Sequence, residues 1–347
     1  MLAREHGLTG PVIHAGSGLG ERHRARLAVR GRARSPKIGL FEAGSHRIVD
    51  TPHCPIHHPS INEAVAHLRS TIRETGIAPY SDATHRGALR YVQIVVERTS
   101  GRVQIVLVGN GRTPDVLGNL PERLSRRLGE RLQGLFFNAQ PERNNTILGP
   151  TTVQLAGESA IRERLGGVDV FFPPDSFGQS ALPMYERALA RIAELVPPDV
   201  TLTEGYCGVG SIGLGLLGRV RSLRFNERSP HGIAGLERGL AARPALERAR
   251  ARIIPGPAED ALDAFMDAEV VILDPPRKGL DARLLEQLAA HPPRRLIYLA
   301  CGLPALLDEL PHLERPGGLV LQGVEAFDFF PFTEHVETLV WLDRASD

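Results

Sequence analysis

The stretch Thr201-Leu202-Thr203-Glu204-Gly205-Tyr206-Cys207-Gly208-Val209-Gly210-Ser211 sets the architecture of the second half of the chain. It reads as a strand, Thr201–Tyr206, that closes on a glycine-rich turn, with a helix predicted behind it over Ile212–Leu217. Such a turn lets backbone amides approach a ligand closely. Gly208, Gly210 and Gly213 fit the spacing of a dinucleotide loop, a pattern shared by other nucleoside ligands and by plain turns. The next predicted strand, Val220–Asn226, leads into Glu227, 17 residues after Gly210. An acid there can accept both hydroxyls of a ribose; the alternative is a surface acid that caps the following helix.

Outward from that loop, apolar runs of strand length alternate with helical periods. Helices are predicted over Ser180–Leu195, Ile233–Ala242, Ala258–Met266, Ala282–Ala290 and Ala305–Glu309. Strands are predicted over Ala251–Pro255, Val270–Leu273, Arg295–Leu299, Gly318–Val324 and Glu337–Leu342. This alternation predicts an α/β domain, a doubly wound and mostly parallel sheet of seven strands with the last one antiparallel. Such sheets bind ligands at the carboxyl ends of their strands, so residues just after each strand carry the functional weight.

Two strand ends stand out. Val270–Leu273 runs into Asp274-Pro275-Pro276-Arg277-Lys278-Gly279, where the prolines fix φ and remove amide donors, leaving carbonyls and the Asp274 side chain to face a ligand. Arg295–Leu299 leads to Ala300-Cys301-Gly302-Leu303-Pro304. A cysteine there is either a candidate nucleophile or a small buried hydrophobe. Cys207, inside the glycine loop, reads as packing, and Cys54 as structural.

Near the C-terminus stands Asp328-Phe329-Phe330-Pro331-Phe332-Thr333-Glu334-His335-Val336-Glu337. Together with Asp274-Pro275-Pro276-Arg277-x-Gly279 and Cys301, it resembles the signatures of the RNA uracil-5-methyltransferase family, which holds the bacterial tRNA and 23S rRNA 5-methyluridine enzymes. The likeness extends from about residue 22 to the end and is most specific in the C-terminal half. It implies a Rossmann-like class I methyltransferase sheet with a smaller N-terminal α+β domain, S-adenosyl-L-methionine as cofactor and RNA as partner. Matching the family's motifs position by position, Gln179, Tyr206, Ser211, Glu227 and Asp274 fall on cofactor-binding positions. The nucleophile falls on Cys301 and the general base on Glu337; no metal is implied. The chain departs from the family at Ala181, where Asn is usual, and around Pro257, where an acid or amide is expected near the adenine. Ala300-Cys301-Gly302-Leu303-Pro304-Ala305 also replaces a Ser-Cys-Asn-Pro-x-Thr stretch.

The chemistry explains why such groups are needed. Carbon 5 of uracil is a poor nucleophile, and a thiolate added at carbon 6 converts the ring to an enolate that can take a methyl group. A base must then remove the carbon-5 proton so that the cysteine can leave. The target base has to be flipped out or single-stranded. Two other readings stay open on the sequence: a purine N-methyltransferase that uses the Asp-Pro-Pro turn, and an RNA-binding protein of this fold with lost catalysis.

Upstream, strands are predicted over Arg26–Val29, Lys37–Phe41, Gly134–Asn138, Thr151–Ala156 and Val168–Phe172, and helices over Asn62–Glu74 and Leu117–Leu132. A hairpin joins Leu89–Glu97 to Arg102–Val108 through Ser100-Gly101. The character of the sequence changes near Pro173-Pro174, which divides the chain into an α+β domain, 1–172, and an α/β domain, 173–347; the resemblance implies RNA contact for the first and methyl transfer for the second. From Arg4 to Arg47 the chain is rich in Arg, either an arm that follows a phosphate backbone or a solvated surface. With 42% hydrophobic and 23% charged residues and a net charge of +1, the 347-residue chain has the balance of a water-soluble protein. No apolar run reaches membrane-spanning length, and a cytoplasmic monomer is expected. Three scattered cysteines exclude a zinc ribbon, a disulfide framework and a complete iron–sulfur ligand set.

Overall fold

A computed structural model describes residues 10–45, 47–314 and 318–345. The start of the basic arm at Arg4 lies outside the described residues. The chain forms two compact units, Leu19–Glu163 with Pro173–Asp175, and Met1–Gly18 with Arg164–Phe172 and Ser176–Asp347. The sequence division after residue 172 therefore differs at 173–175, which group with the N-terminal unit, and misplaces two longer segments. One is β1 (Val12–His14), which pairs with a strand of the C-terminal unit. The other is 164–172, where Leu165, Val168, Val170 and Phe172 share a core with Tyr185, Leu189 and Ile192.

In the N-terminal unit the strands are β2 (Arg24–Arg32), β3 (Ser35–Phe41), β4 (Ile48–Asp50), β5 (Leu89–Val96), β6 (Val103–Gly109), β7 (Leu132–Ala139) and β8 (Thr151–Gly157). They form one sheet in the order β4-β3-β2-β5-β6-β7-β8, antiparallel except for the β6–β7 pair. Helix Pro59–Thr75 lays Ile61, Ala64, Val65, Leu68 and Ile72 on the sheet, a helical spacing that buries one stripe. The helix expected over Leu117–Leu132 is shorter, Leu120–Leu128, with 3₁₀ turns at Pro114–Leu117 and Gly129–Arg131. β9 (Ile161–Leu165) and β10 (Val168–Phe172) pair with each other.

The C-terminal unit holds β11 (Thr201–Gly205), β12 (Ser222–Glu227), β13 (Ala251–Pro255), β14 (Val270–Leu273), β15 (Arg295–Ala300), β16 (Leu319–Phe327) and β17 (Glu337–Arg344). The order is β1-β16-β17-β15-β14-β11-β12-β13. β17 runs antiparallel to both neighbours, as expected, and the remaining pairs are parallel. There are eight strands rather than seven because β1 adds beside β16. The strand cores Val270–Leu273 and Leu296–Leu299 are fully buried, consistent with a sheet covered on both faces. One expected element does not form. Residues 212–217 make only a 3₁₀ turn at Gly213–Gly215, where glycines at 213, 215 and 218 weaken an α-helix. Among the described residues, no helix is long and apolar enough to cross a membrane.

Candidate active site

Sheet register brings five of the predicted residues, Tyr206, Glu227, Asp274, Cys301 and Glu337, to one edge. Gly205 pairs with Asn226 on one side and with Leu273 on the other, so Tyr206, Glu227 and Asp274 leave adjacent strands together. Leu273 pairs with Tyr298, and Ala300 with Thr338. Cys301 and Glu337 are the next positions on those two antiparallel strands, which makes them cross-strand neighbours.

On the cofactor side, the Asp274 carboxylate accepts a hydrogen bond from Gln179, and burial pushes its pKa up to about 7. The Ser211 hydroxyl pairs at 2.6 Å with the hydroxyl of buried Tyr185. Glu227 accepts from the Gly208 amide at 2.8 Å and from the Ser229 amide at 2.6 Å, so the acid fastens the glycine loop to the end of β12. Each carboxylate oxygen keeps a second lone pair for a hydroxyl. Tyr206 has φ 58, Gly208 φ 57 and Gly210 φ 75, three left-handed residues in a tight loop whose Cys207 amide donates to the Asn226 carbonyl of β12 at 3.0 Å. A Cβ added at Gly208 would meet no atom within 4 Å, so the loop faces open space on the side where a ligand would lie. These residues fit a nucleoside cofactor with a ribose at Glu227. Pro257, at the position expected near an adenine, precedes a 3₁₀ turn, Ala258–Asp260, and offers no side-chain acceptor.

On the chemical side, Glu337 is fully buried, and neither carboxylate oxygen has a hydrogen-bond partner among the described residues. Burial, then the charge of Asp274, push its pKa well above the usual carboxylate range, and Arg277 acts in the opposite direction. Cys301 is half-buried. Burial, then Glu337 and Asp274, push its thiol up to about 11, again against Arg277. Arg277 also lies over the Phe330 ring, 5.7 Å from its centroid, and Phe330 meets His335 edge-on. The proline turn and the cysteine turn touch directly. A Cβ on Gly302 would come within 2.3 Å of the Arg277 carbonyl oxygen, so only glycine admits that approach.

Residues 258–345 match the family model described as tRNA (Uracil-5-)-methyltransferase. An uncharacterized RNA methyltransferase of Protochlamydia amoebophila is 32% identical over 342 residues, which cover 96% of this chain and 88% of the relative. The chain belongs to the RNA uracil-5-methyltransferase family. As a member it is a methyltransferase that uses S-adenosylmethionine. A second relative, an uncharacterized RNA methyltransferase of Gloeobacter violaceus, is 32% identical and is covered over 73% of its length. The fold matches that of the Pyrococcus abyssi tRNA (uracil-54, C5)-methyltransferase, solved with S-adenosyl-L-homocysteine, with a TM-score of 0.82 at 24% identity over 98% of this chain and 80% of that one.

In this uracil-5-methyltransferase family member, three supporting residues escaped the sequence reading. Tyr185 looked like one more core position of the helix Leu182–Leu195, with nothing to mark its hydroxyl. Glu204 is buried in β11 and accepts from the Gly213 amide at 2.9 Å, bracing the loop from behind. A lone acid inside a buried strand was the available signal. Glu309 accepts from the Leu280 amide at 2.6 Å and from the Tyr298 hydroxyl at 2.7 Å, which ties the end of the proline turn to β15.

Proposed function

We infer that this protein methylates carbon 5 of a uracil in RNA through a covalent adduct between Cys301 and carbon 6. The observation that carries this reading is the pairing of a half-exposed thiol with a buried, unpartnered carboxyl on adjacent strands of the ligand-binding edge. S-adenosylmethionine supplies an electrophilic methyl group, and Gln179, Tyr206, Ser211, Glu227 and Asp274 would hold it.

Cys301 attacks carbon 6 as its thiolate, and the carbon 5–carbon 6 π electrons move to the carbonyl oxygen at carbon 4. Carbon 5 would then form its bond to the methyl group as the bond from that methyl to the sulfonium sulfur breaks, leaving S-adenosylhomocysteine. Glu337 takes the remaining carbon-5 proton; the electron pair it leaves reforms the ring double bond and expels the Cys301 thiolate. Glu337 has to be ionised for that step, and Arg277 favours the ionised form; once ionised, a buried carboxylate is a stronger base than an exposed one. The free thiol, held near pKa 11, stays largely protonated at neutral pH, so Arg277 and the arriving substrate have to favour the thiolate.

RNA contact is assigned to the N-terminal unit, whose β2–β3 hairpin exposes Arg32, Arg34 and Lys37. The family model and the fold relative both name tRNA, which supports tRNA as the first acceptor to test, with 23S rRNA as the second. Incubation with RNA that carries 5-fluorouridine tests the mechanism. Fluorine at carbon 5 cannot leave as a proton, so an adduct through Cys301 should survive denaturation. Methyl transfer without a trapped adduct would favour amine methylation instead.

A further inference from the structure

Among the described residues, Phe177 and Phe332 are the two exposed phenylalanines, and Phe332 is 77% exposed. It lies in the loop that joins β16 to β17, five residues before Glu337. The Thr333 amide donates to the Phe330 carbonyl at 3.2 Å, closing the four-residue turn Phe330-Pro331-Phe332-Thr333. The Thr333 hydroxyl donates to the same carbonyl at 2.7 Å, and the His335 amide donates to the Thr333 hydroxyl. Proline at the second position and a left-handed third residue are the pattern of a type II turn, whose third residue is ordinarily Gly or Asn.

Here that residue is Phe332, with φ 65. A side chain with a Cβ is disfavoured in this backbone region, and the ring recovers little by burial because most of it faces water. Both terms oppose phenylalanine on grounds of stability. Strain of this kind, held in place by surrounding bonds beside an active site, points to function.

We propose that Phe332 is a stacking platform for an RNA base that flanks the target uracil. The turn that carries it is anchored next to the site by Arg277 over Phe330 and by β17 beginning at Glu337, so a base held on the ring would lie beside the entry to the Cys301–Glu337 pair. Every base has a face that can stack on an aromatic ring, so the contact would position the strand with little regard to sequence. The inference rests on the RNA-methylating function proposed above.

The test is steady-state methylation with labelled S-adenosylmethionine, using total tRNA and rRNA from cells that lack this protein as acceptors. Phe332→Gly should raise the KM for RNA by roughly tenfold, within the range of a lost stacking contact. Its thermal midpoint should stay level or rise, because glycine relieves the turn, and calorimetry should find its S-adenosylmethionine affinity intact. Phe332→Trp should keep a KM near that of the wild type. A Phe332→Gly enzyme with wild-type KM overturns this inference and leaves uracil methylation standing. So does a lowered thermal midpoint, which would make the ring a structural element. Wild-type protein that labels neither RNA overturns both readings together.

Discussion

Glu337 opens β17 directly beside the end of β15, where Thr338 pairs with Ala300, so its carboxyl and the Cys301 thiol are cross-strand neighbours. Burial and the charge of Asp274 raise the cost of ionising both groups, and the Glu337 carboxylate raises it further for Cys301. Arg277, on the proline turn that touches Gly302, is the cation facing both.

The reactivity of Cys301 should therefore depend on Arg277. Alkylation by iodoacetamide, followed on the Cys301 peptide by mass spectrometry, should rise with pH toward an inflection near 11 in the wild type. Arg277→Ala removes the opposing cation, so its inflection should move higher and its rate at pH 8 should fall. An equal or faster rate in the variant would refute the role given to Arg277.

Glu227 braces the glycine loop, and the ribose-binding task proposed for it can be separated from that bracing by readout. Glu227→Ala should weaken S-adenosylmethionine binding by about 1–3 kcal/mol, the loss expected for a charged hydrogen-bond acceptor. It should also lower the thermal midpoint, because the Gly208 and Ser229 amides lose their acceptor. Unchanged affinity by calorimetry would remove the ribose assignment.

Asp274 predicts a pH dependence of stability. Its folded pKa, about 7, lies above the ordinary value of 3.8, so the folded state favours the protonated acid. Its contribution is greatest below about pH 4 and is lost as pH rises through 7. Asp274→Asn cannot ionise, so relative to wild type it should gain stability across that window, by about 1–2 kcal/mol given the partial exposure of the group to the cleft. Denaturant titrations at pH 4.5 and pH 8 measure this; parallel profiles for the two proteins would contradict it.

Much of the candidate site's placement was legible because ligand-binding edges form at strand ends, and strand ends are marked by apolar runs that stop at Gly, Pro or a lone polar residue. Val270–Leu273 before Asp274 and Arg295–Leu299 before Cys301 are of this kind, and the structure brings both ends to one edge. What stayed hidden depends on tertiary partners. Val12–His14 is three residues long and has no periodicity of its own; β16 supplies its hydrogen bonds, and Phe327 stacks on His14 at 4.3 Å. The short turn at Gly213–Gly215 looked helical from its apolar neighbours, but Glu204 bonded to the Gly213 amide braces it as a 3₁₀ turn. Tyr185 and Glu309 act through partners 26 and 11 residues away, beyond any local pattern.

The most direct test of the covalent mechanism compares Cys301→Ala with Glu337→Gln by denaturing electrophoresis, using labelled S-adenosylmethionine and substrate RNA. Glu337→Gln should still form the adduct and transfer the methyl group but fail to take the carbon-5 proton, leaving a slow-migrating labelled protein–RNA band. Cys301→Ala should give no such band and no labelled RNA. Labelled RNA from the Cys301→Ala protein would contradict the assignment of Cys301 as nucleophile.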